Sequence, residues 1–347
     1  MLRYLTAGES HGRAIIAILE GMPAGLRVET ASIDEELKRR QSGFGRGKRM
    51  EIEKDNVRIL SGLKGNVTLA SPITLLIENK DFSIEKLKEV LCPRPGHADL
   101  AGLLKYGFTD IREVLERASA RNTAATVGVG AVCKIFLDVF GVEISSKVLS
   151  INGENTEEGM KEKILKAISN KDTVGGIFEV TAKNVPVGLG SYVQPDRRLD
   201  ARLAMAVMSI PGIKAVEIGL GFGYADRSGS EVHDAIYYNK AKGYFRKTNN
   251  AGGIEGGTSN GESIVLRACM KPICTLMNPL DSVNITTKKS SKASVERSDI
   301  CVVTAAGVIA ESVCAYALAD AFLEKFGADN ISDIKKTYQN YLLRIRK

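Results

Sequence analysis

The alternation of apolar and polar residues along the chain predicts interleaved helices and strands. The apolar run 305–326 predicts a buried helix, and the capping-box pattern SIDE at 32–35 predicts a short helix that ends near Arg40. Further helices, with an apolar residue every third or fourth position, are predicted at 84–91, 110–140, 199–210 and 331–344. Strands are predicted at 57–60, 73–77, 175–182 and 215–219.

These elements do not follow the regular strand–helix alternation of a doubly wound sheet, so the pattern predicts a layered α+β fold. No linker and no tandem repeat of roughly 20 to 50 residues divides the sequence, so residues 1–347 are expected to form one domain. Glu311 and Asp320 interrupt the longest apolar run, so no membrane span is expected. The start lacks a basic segment followed by an apolar one, which predicts a cytoplasmic protein without a signal peptide.

The composition favours a small anionic partner over a nucleic acid. Lys and Arg number 48 against 41 Asp and Glu, and the formal net charge is +7. Tryptophan is absent and aromatic residues make up 6%, so few side chains could stack on bases. The six cysteines show no C-x-x-C spacing and are expected to be reduced core residues, and with three histidines no His-rich metal site is expected.

Three short motifs carry candidate acid/base groups. His11 lies between small residues in GESHG, where an imidazole is open to a reacting group. His97 and Arg94 lie in PRPGHAD, which its two prolines stiffen. Asp299 follows Arg297 in VERSD. Each motif alone also fits an ordinary role, as a turn histidine, a structural turn or a surface ion pair.

Glycine-containing segments are candidates for binding a phosphate or a flat ring. The basic loop KRRQSGFGRGKR contains six basic residues, and Gly43, Gly45 and Gly47 would let its backbone approach a ligand closely. It lacks the spacing of a P-loop, and no complete G-x-G-x-x-G follows a predicted strand. The other candidate segments are 117–121, 249–257 and 271–275. Together with the acid/base candidates, they predict an enzyme acting on a small, multiply anionic, phosphorylated substrate.

Nine strings in the sequence resemble motifs of the chorismate synthase family, in the family's order, over residues 1 to about 326. They are GESHG, RRQSGFGRGKRM, RPGHADL, ERASARNTA, VPVGLGSYV, LDARLAMAVMSIPGIKAVEIGLGF, NNAGGIEGGTSNG, MKPICT and VERSD. The resemblance implies a carbon–oxygen lyase that converts 5-enolpyruvylshikimate 3-phosphate to chorismate and phosphate by a 1,4-anti elimination. This last common step of the shikimate pathway requires reduced FMN, although it is redox-neutral overall. The resemblance also implies a homotetramer whose subunits are β-α-β sandwiches of helices and antiparallel sheets.

The resemblance also implies roles for individual residues. His11 matches the histidine that protonates the departing phosphate, His97 the histidine that assists proton balance at the flavin, and Asp299 the carboxylate that works with the flavin in removing the C6 proton. The residues expected to bind substrate are Ser10, Arg40, Arg46, Arg49, Arg94, Arg121 and Arg297. Those expected to contact FMN are Arg117, Ala118, Ser119, Pro211, Gly212, Gly256, Lys271, Pro272, Ile273, Cys274, Thr275 and Arg297. Arg40 and Arg46 also match positions sometimes assigned to NADPH.

Two departures from the family pattern and several alternatives remain. Ala118 replaces a serine that is common near the flavin, and the region 151–173 is shorter than in many relatives. The sequence leaves open whether NADPH or an external flavin reductase supplies the reduced flavin. An RNA-binding module would use the basic loop and lose affinity steeply with salt. A net-redox flavoprotein would consume NAD(P)H in step with substrate, and a non-catalytic anion-binding protein would leave the acid/base candidates idle.

Overall fold

Two four-stranded antiparallel sheets enclose a layer of helices in the computed structural model, which describes residues 1–47, 54–240, 243–296 and 298–345. The first sheet contains β1 (Arg3–Ala7), β2 (Ala14–Glu20), β3 (Val57–Ser61) and β4 (Ile73–Glu78), in the order β1-β2-β4-β3. The second contains β5 (Glu143–Ile151), β6 (Gly176–Lys183), β7 (Ile213–Ile218) and β8 (Ile264–Met270), in the order β5-β6-β8-β7. The expected α+β fold and β-α-β sandwich are therefore confirmed.

The longer helices are α1 (Thr30–Gln41), α2 (Asp99–Tyr106), α3 (Ile111–Ala118), α4 (Thr123–Asp138), α5 (Glu157–Ser169), α6 (Leu199–Met208), α7 (Val303–Phe326) and α8 (Ile331–Ile345). A single helical turn lies at Gly229–Val232, and 3-10 turns lie at Ile84–Lys86, Ala120–Asn122, Pro195–Arg197 and Gly221–Tyr224. Short strand pairs are Leu63–Lys64 with Val67–Thr68, Ile236–Asn239 with Gly243–Arg246, Ile254–Glu255 with Thr258–Ser259, and Asp281–Val283 with Ser290–Lys292.

One face of each sheet is buried against the helices, because alternate side chains of a strand point to opposite faces. Ile73, Leu75 and Ile77 of β4 are buried in this way, while the residues between them are partly exposed. β8 shows the same alternation, with buried residues at every second position from Ile264 to Met270. The hydrophobic core therefore lies between each sheet and the helix layer.

Helices α4 and α7 lie side by side in the middle of the layer and run in the same direction. A Cβ atom on Gly130 would lie 2.2 Å from the Cβ of Ser312, and the rings of Phe136 and Phe322 pack with their centroids 5.6 Å apart. Moving from Gly130 to Phe136 along α4 therefore corresponds to moving from Ser312 to Phe322 along α7, so the helices are parallel. The N-terminal ends of α4 and α7 consequently lie at the same end of the layer.

The two halves of the chain repeat one order of elements: two strands, a helix, two strands and a helix. The first half is β1-β2-α1-β3-β4-α4 and the second is β5-β6-α6-β7-β8-α7, with the same strand order in each sheet. Helices α2 and α3 are inserted in the first half, and α5 in the second. The repeat has no short sequence period. It brings the loops before α4 and α7 to one end of the molecule.

Three local predictions need correction. Helix α1 begins at Thr30, and Ser32 lies inside it with its main-chain N–H bonded to Glu29, so the capping-box prediction is wrong. The helix predicted at 84–91 is only the turn Ile84–Lys86, because Val90 instead exchanges hydrogen bonds with the start of α3. The helix predicted at 110–140 is divided, since Ser119 adopts an extended conformation between α3 and the following 3-10 turn.

Helix α7 is the one described helix that is long and apolar enough to cross a membrane by length and composition. Within the fold, 89% of its most apolar stretch is buried. It also carries Glu311, whose carboxylate binds Arg39, Lys134 and Ser146. These contacts are those of a central core helix that packs between the two sheets.

Candidate active site

The loop that carries His11 connects β1 to β2 and is held over the end of β4 by Asn79. The Asn79 side-chain amide donates to the main-chain oxygens of Gly12 at 2.7 Å and Glu9 at 3.1 Å. The Asn79 main-chain N–H donates to Arg13 at 3.0 Å. Asn79 is buried, so these bonds fix the loop where the strand ends.

His11 is bound to Glu116 of α3 by both its main chain and its ring. The main-chain N–H of His11 donates to Oε2 of Glu116 at 2.8 Å, and Nδ1 lies 2.8 Å from Oε1. Ser10, which is buried, donates its main-chain N–H to the main-chain oxygen of Glu116 at 2.8 Å. Burial alone would raise the pKa of Glu116, but the hydrogen bonds from His11 outweigh it and hold that pKa below its usual value. The carboxyl group is therefore ionised at neutral pH.

A buried aspartate, Asp55, joins two of the predicted arginines. Arg40 donates to Oδ2 of Asp55 at 2.7 Å and Arg121 donates to Oδ1 at 2.6 Å. Arg121 also donates Nε–H to the Asn79 side chain at 2.7 Å, which connects this ion pair to the His11 loop. Burial would raise the pKa of Asp55, and the two guanidinium groups lower it below its usual range. We call Ser10, His11, Arg40, Asp55, Asn79, Glu116 and Arg121 the His11 cluster.

One N–H group of Arg40 is available to bind a ligand in the described part of the chain. Its Nη1 donates to Thr123 at 3.2 Å, but its buried Nε has no hydrogen-bond partner among the described residues. Burial lowers the pKa of Arg40, and the nearby guanidinium groups of Arg121 and Arg46 add to this effect while Asp55 opposes it. A buried N–H donor without an acceptor is costly, so an anionic ligand oxygen would stabilise it.

Arg46 and Asp299 are brought together, as the predicted roles require. Nη2 of Arg46 lies 3.6 Å from Oδ2 of Asp299, and Oδ1 accepts the main-chain N–H of Gly47 at 2.6 Å. The buried Nε of Arg46, like that of Arg40, has no partner in the described part of the chain. Burial lowers the pKa of Arg46 against the opposing effect of Asp299. Arg49 and Arg297 lie outside the described residues, so their predicted roles stay predictions.

The glycines of the basic loop face neighbouring protein atoms. This corrects the prediction that they let the backbone approach a ligand closely. Gly45 has φ +88°, and a Cβ there would lie 2.9 Å from Ile164 and 3.3 Å from Cys301. The carbonyl oxygen of Gly45 accepts the main-chain N–H of Ile300 at 2.8 Å. The glycines thus allow the loop to pack on the segment before α7, which places Arg46 beside Asp299.

The second predicted histidine forms another pair with a carboxylate. Nδ1 of His97 binds the fully buried carboxylate of Asp99, which also accepts three hydrogen bonds from Arg94, at 2.9, 2.9 and 3.0 Å. Burial would raise the pKa of Asp99, but the hydrogen bonds from His97 and Arg94 hold it well below its usual range. Because most of its donors are used within the protein, Arg94 stabilises the turn that presents His97.

The segment 271–275 lies directly against this turn, as its predicted place in the same site requires. Lys271 Nζ and Cys274 Sγ both contact the main-chain oxygen of Gly96, and Arg94 donates to the hydroxyl of Thr275 at 2.6 Å. The main-chain N–H of Lys271 donates to Gly212 at 2.9 Å, which adds the end of α6. We call Arg94, His97, Asp99, Gly212 and the segment 271–275 the His97 cluster.

Residues 173 and 174 connect the His97 cluster to the segment that carries Asp299. The hydroxyl of Thr173 donates to Ile273 at 2.7 Å, and the main-chain N–H of Val174 donates to Ile300, next to Asp299, at 3.0 Å. The His97 cluster is thereby tied to the segment that precedes α7, and the hydrogen bond of Arg40 to Thr123 at 3.2 Å ties the His11 cluster to the first residue of α4. The parallel helix pair explains why residues far apart in sequence meet there.

Three predicted flavin contacts, Arg117, Ala118 and Ser119, follow Glu116 directly in sequence, and a fourth, Pro211, precedes Gly212. Arg117 is exposed and donates to the main-chain oxygens of Gly8 at 2.8 Å and Thr6 at 2.9 Å, which ties α3 to β1. Ser119 caps the 3-10 turn by accepting the main-chain N–H of Arg121 at 3.3 Å, and Ala118 ends α3. Pro211 is exposed.

Gly256, another predicted flavin contact, lies in the turn between the short strands Ile254–Glu255 and Thr258–Ser259. A Cβ on Gly256 would lie 3.9 Å from Tyr192, and its hairpin packs against Ser191, Arg198 and Leu199. The nearby cavity of about 520 Å³ is lined by residues of α6 and β7 together with Tyr224, Ala251 and Ile254.

Sequence reasoning missed the side chains that orient the predicted residues. It gave no role to Glu116, Asp55 and Asn79, and Asp99 entered only as part of the string PRPGHAD. Their signal was weak because each lies in a string that also reads as a solvent-facing helix or a loop. Arg112 of α3, which binds Glu296 at 2.8 Å, was likewise missed. All of these side chains pair with residues distant in sequence, apart from Asp99.

The described geometry defines an enzyme-type site for a small anionic molecule: two histidine–carboxylate pairs, a carboxylate at Asp299 and guanidinium groups with spare donors. The family model described as chorismate synthase matches residues 2–323. A chorismate synthase of Thermoanaerobacter pseudethanolicus is 55% identical over 348 residues, covering 99% of both chains. One of Geobacter sulfurreducens is 50% identical over 392 residues, covering all of both chains. A crystal structure of a chorismate synthase has a TM-score of 0.83 at 42% identity, covering 99% of this chain and 98% of that chain.

The chain belongs to the chorismate synthase family. It is accordingly an enzyme of chorismate biosynthesis, on the route to the aromatic amino acids, and the family implies a flavin cofactor and a small-molecule substrate. The alignment with the Geobacter relative is longer than this chain, so that relative contains additional residues, whereas the Thermoanaerobacter alignment has nearly the length of this chain.

Proposed function

We propose that the chain converts 5-enolpyruvylshikimate 3-phosphate to chorismate and inorganic phosphate by 1,4-anti elimination. In this reaction the carbon–oxygen bond to the phosphate breaks and the phosphate leaves with the electron pair, while a base takes the hydrogen from C6. The observation that supports it best is the His11–Glu116 pair beside Arg40, which has a buried N–H without an acceptor in the described part of the chain. A proton donor next to unsatisfied cations suits a leaving phosphate.

The residues present fit a site that holds an anionic substrate next to an anionic flavin. Arg40 and Arg46 each hold a buried Nε–H without a partner among the described residues, and these donors suit phosphate or carboxylate oxygens. By resemblance, the residues that would hold FMN are Arg117–Ser119, Pro211, Gly212, Gly256, the segment 271–275 and Arg297. When bound, reduced FMN would supply electron density transiently, without net oxidation or reduction.

The protein's own groups then have separate tasks. His11 donates a proton to the departing phosphate through Nε2, because Nδ1 is directed at Glu116. Asp299 takes part in removing the C6 hydrogen, and its contacts with Arg46 and Gly47 hold the carboxylate in place. His97, oriented by Asp99, assists proton balance near the flavin. Ser10, Arg46 and the guanidinium groups around Asp55 bind the substrate anions.

The test is an anaerobic assay of the purified full chain with photoreduced FMN and 5-enolpyruvylshikimate 3-phosphate. We expect chorismate absorbance and released phosphate to rise together with reduced FMN, and not with oxidised FMN alone. Consumption of NADPH in proportion to substrate would instead indicate a net-redox flavoprotein. Absence of product, together with salt-dependent binding of many oligonucleotides, would favour the RNA-binding alternative.

The Asp299→Asn variant tests the proposed base. We expect it to retain binding of substrate and FMN and to form product slowly, because the amide keeps the shape but takes no proton. Product formation at the wild-type rate would remove Asp299 from the mechanism. The same assay with NADPH as the only reductant decides whether the chain reduces its own flavin or needs an external flavin reductase.

We also propose that the chain is cytoplasmic and works as a homotetramer. Its resemblance to the chorismate synthase family supports these points. Sedimentation of the purified protein measures the assembly, and a single species at monomer mass would contradict it.

A further inference from the structure

Glu116 differs from the other carboxylates of the site in what it binds. Both oxygens of its carboxylate accept hydrogen bonds from one residue, His11: Oε2 from the main-chain N–H and Oε1 from Nδ1, each at 2.8 Å. The side chain is 5% exposed, so water does not replace these bonds readily. Arg112, a cation on the same helix, is paired with Glu296 at 2.8 Å.

We propose that Glu116 is the positioning residue of His11, which keeps the ring proton on Nδ1 and leaves Nε2 as the nitrogen that exchanges protons with the reacting phosphate. This inference rests on the proposed role of His11 as proton donor. An ionised carboxylate can only accept hydrogen bonds, so the Nδ1 that faces it must carry hydrogen. A carboxylate bound to the second ring nitrogen sets the tautomer and the ring orientation of a functional histidine.

The comparison with His97 shows why Glu116 is the more specific partner. Asp99 also binds His97 through Nδ1, but it accepts three further hydrogen bonds from Arg94, so its loss would disturb the turn as well as the ring. The side-chain hydrogen bonds of Glu116 in the described structure all come from His11. Replacing the Glu116 carboxylate therefore removes described side-chain hydrogen bonds from His11 only.

The loop has other supports that do not depend on the Glu116 carboxylate. Ser10 donates to the main-chain oxygen of Glu116, which any substitution retains. The Asn79 side chain holds Glu9 and Gly12 on either side of His11. We therefore expect the loop to keep its place when only the carboxylate is changed, so that a loss of activity would report on the ring.

The first experiment is nitrogen NMR of solid, 15N-histidine-labelled protein with the Glu116→Gln substitution. Since the chain contains three histidines, His11 can be assigned by loss of its signals in His11→Ala. Glutamine has one acceptor oxygen for two donors, so its amide will donate to Nδ1 and move the ring proton to Nε2. The control is Glu113→Gln, an exposed position on the same helix, for which no change is expected. An unchanged His11 tautomer in Glu116→Gln would overturn the proposal.

The second experiment is a double-mutant cycle on turnover. We expect Glu116→Gln to lower kcat about 10- to 100-fold, with a smaller change in KM, as is usual for partners that orient a functional group. In the His11→Ala background, Glu116→Gln should cause no further loss, because its effect acts through the ring. Losses that multiply would make Glu116 a general structural residue and overturn the proposal. Wild-type turnover in His11→Ala would instead refute the proton-donor role, whatever the tautomer result.

Discussion

The substitution Asp55→Asn tests whether one buried carboxylate is the counter-charge for two arginines. Asp55 accepts hydrogen bonds from Arg40 at 2.7 Å and from Arg121 at 2.6 Å, and all three side chains are buried. Asparagine keeps the size but offers one acceptor oxygen, and its NH₂ group would face the second guanidinium. Removing one member of a buried ion pair costs about 3–5 kcal/mol, because the remaining charges lose their compensation.

The assay is thermal unfolding of the purified full chain. Because the unfolding entropy of a 347-residue chain is about 0.7 kcal/mol/K, a loss of this size would lower the melting temperature by about 4–7 °C. The matched control is Asp281→Asn, since Asp281 pairs with Lys292 at 2.6 Å on the surface and is 85% exposed. Exposed pairs contribute about 0–1 kcal/mol, so this control should melt close to the wild type. Equal melting temperatures for the two variants would refute the reasoning about Asp55.

Three further results are expected. Folding lowers the pKa values of four buried carboxyl groups, those of Asp55, Asp99, Glu116 and Glu311. The stability that these groups provide is therefore present above their unfolded pKa values, near about 4, and is lost as the pH falls through their folded pKa values. Urea midpoints should decline below about pH 4, and constant midpoints down to about pH 3 would contradict this. Gly130→Ala should destabilise the chain in urea unfolding. Overpacking against Ser312 costs about 1–3 kcal/mol, whereas the gain in helix propensity is only about 1 kcal/mol. An increase in stability would count against the close helix contact. Arg94→Lys should lower stability by about 1.5–3 kcal/mol because lysine cannot reproduce the forked contact with Asp99, whereas a raised KM with unchanged melting would make Arg94 a substrate clamp.

Local patterns in the sequence were sufficient for several of the buried elements, although strands β2, β5 and β8 were not predicted. The run that became α7 and the strands β3, β4, β6 and β7 were predicted within a few residues, because burial on one or all sides imposes a strong pattern. Strand β1 was not predicted. It is short and at the edge of its sheet, and Leu5 faces outwards with 72% of its surface exposed, so its alternation carries little signal.

Only the site residues that lie within short sequence motifs could be predicted. His11, Arg46, His97 and Asp299 were identified, but the partners that orient them could not be derived from spacing. His11 and Glu116 are 105 residues apart, and Gly47 and Asp299 are 252 apart. Such contacts depend on the parallel packing of two helices, which no local pattern encodes. The glycines of the basic loop were misinterpreted for the same reason, since the segment they approach lies far along the chain.

The repeated order of elements has a mechanical consequence. The first half of the chain supplies His11 and the second half supplies Asp299, so the relative position of the proposed acid and base depends on how the two halves pack. Gly130 and Ser312 are in close contact where α4 packs on α7, about 10 Å along α4 from its first residue. A side chain added at Gly130 would have to move one of these helices, although it touches neither His11 nor Asp299. The core contact between the halves therefore matters for a site to which both halves contribute residues.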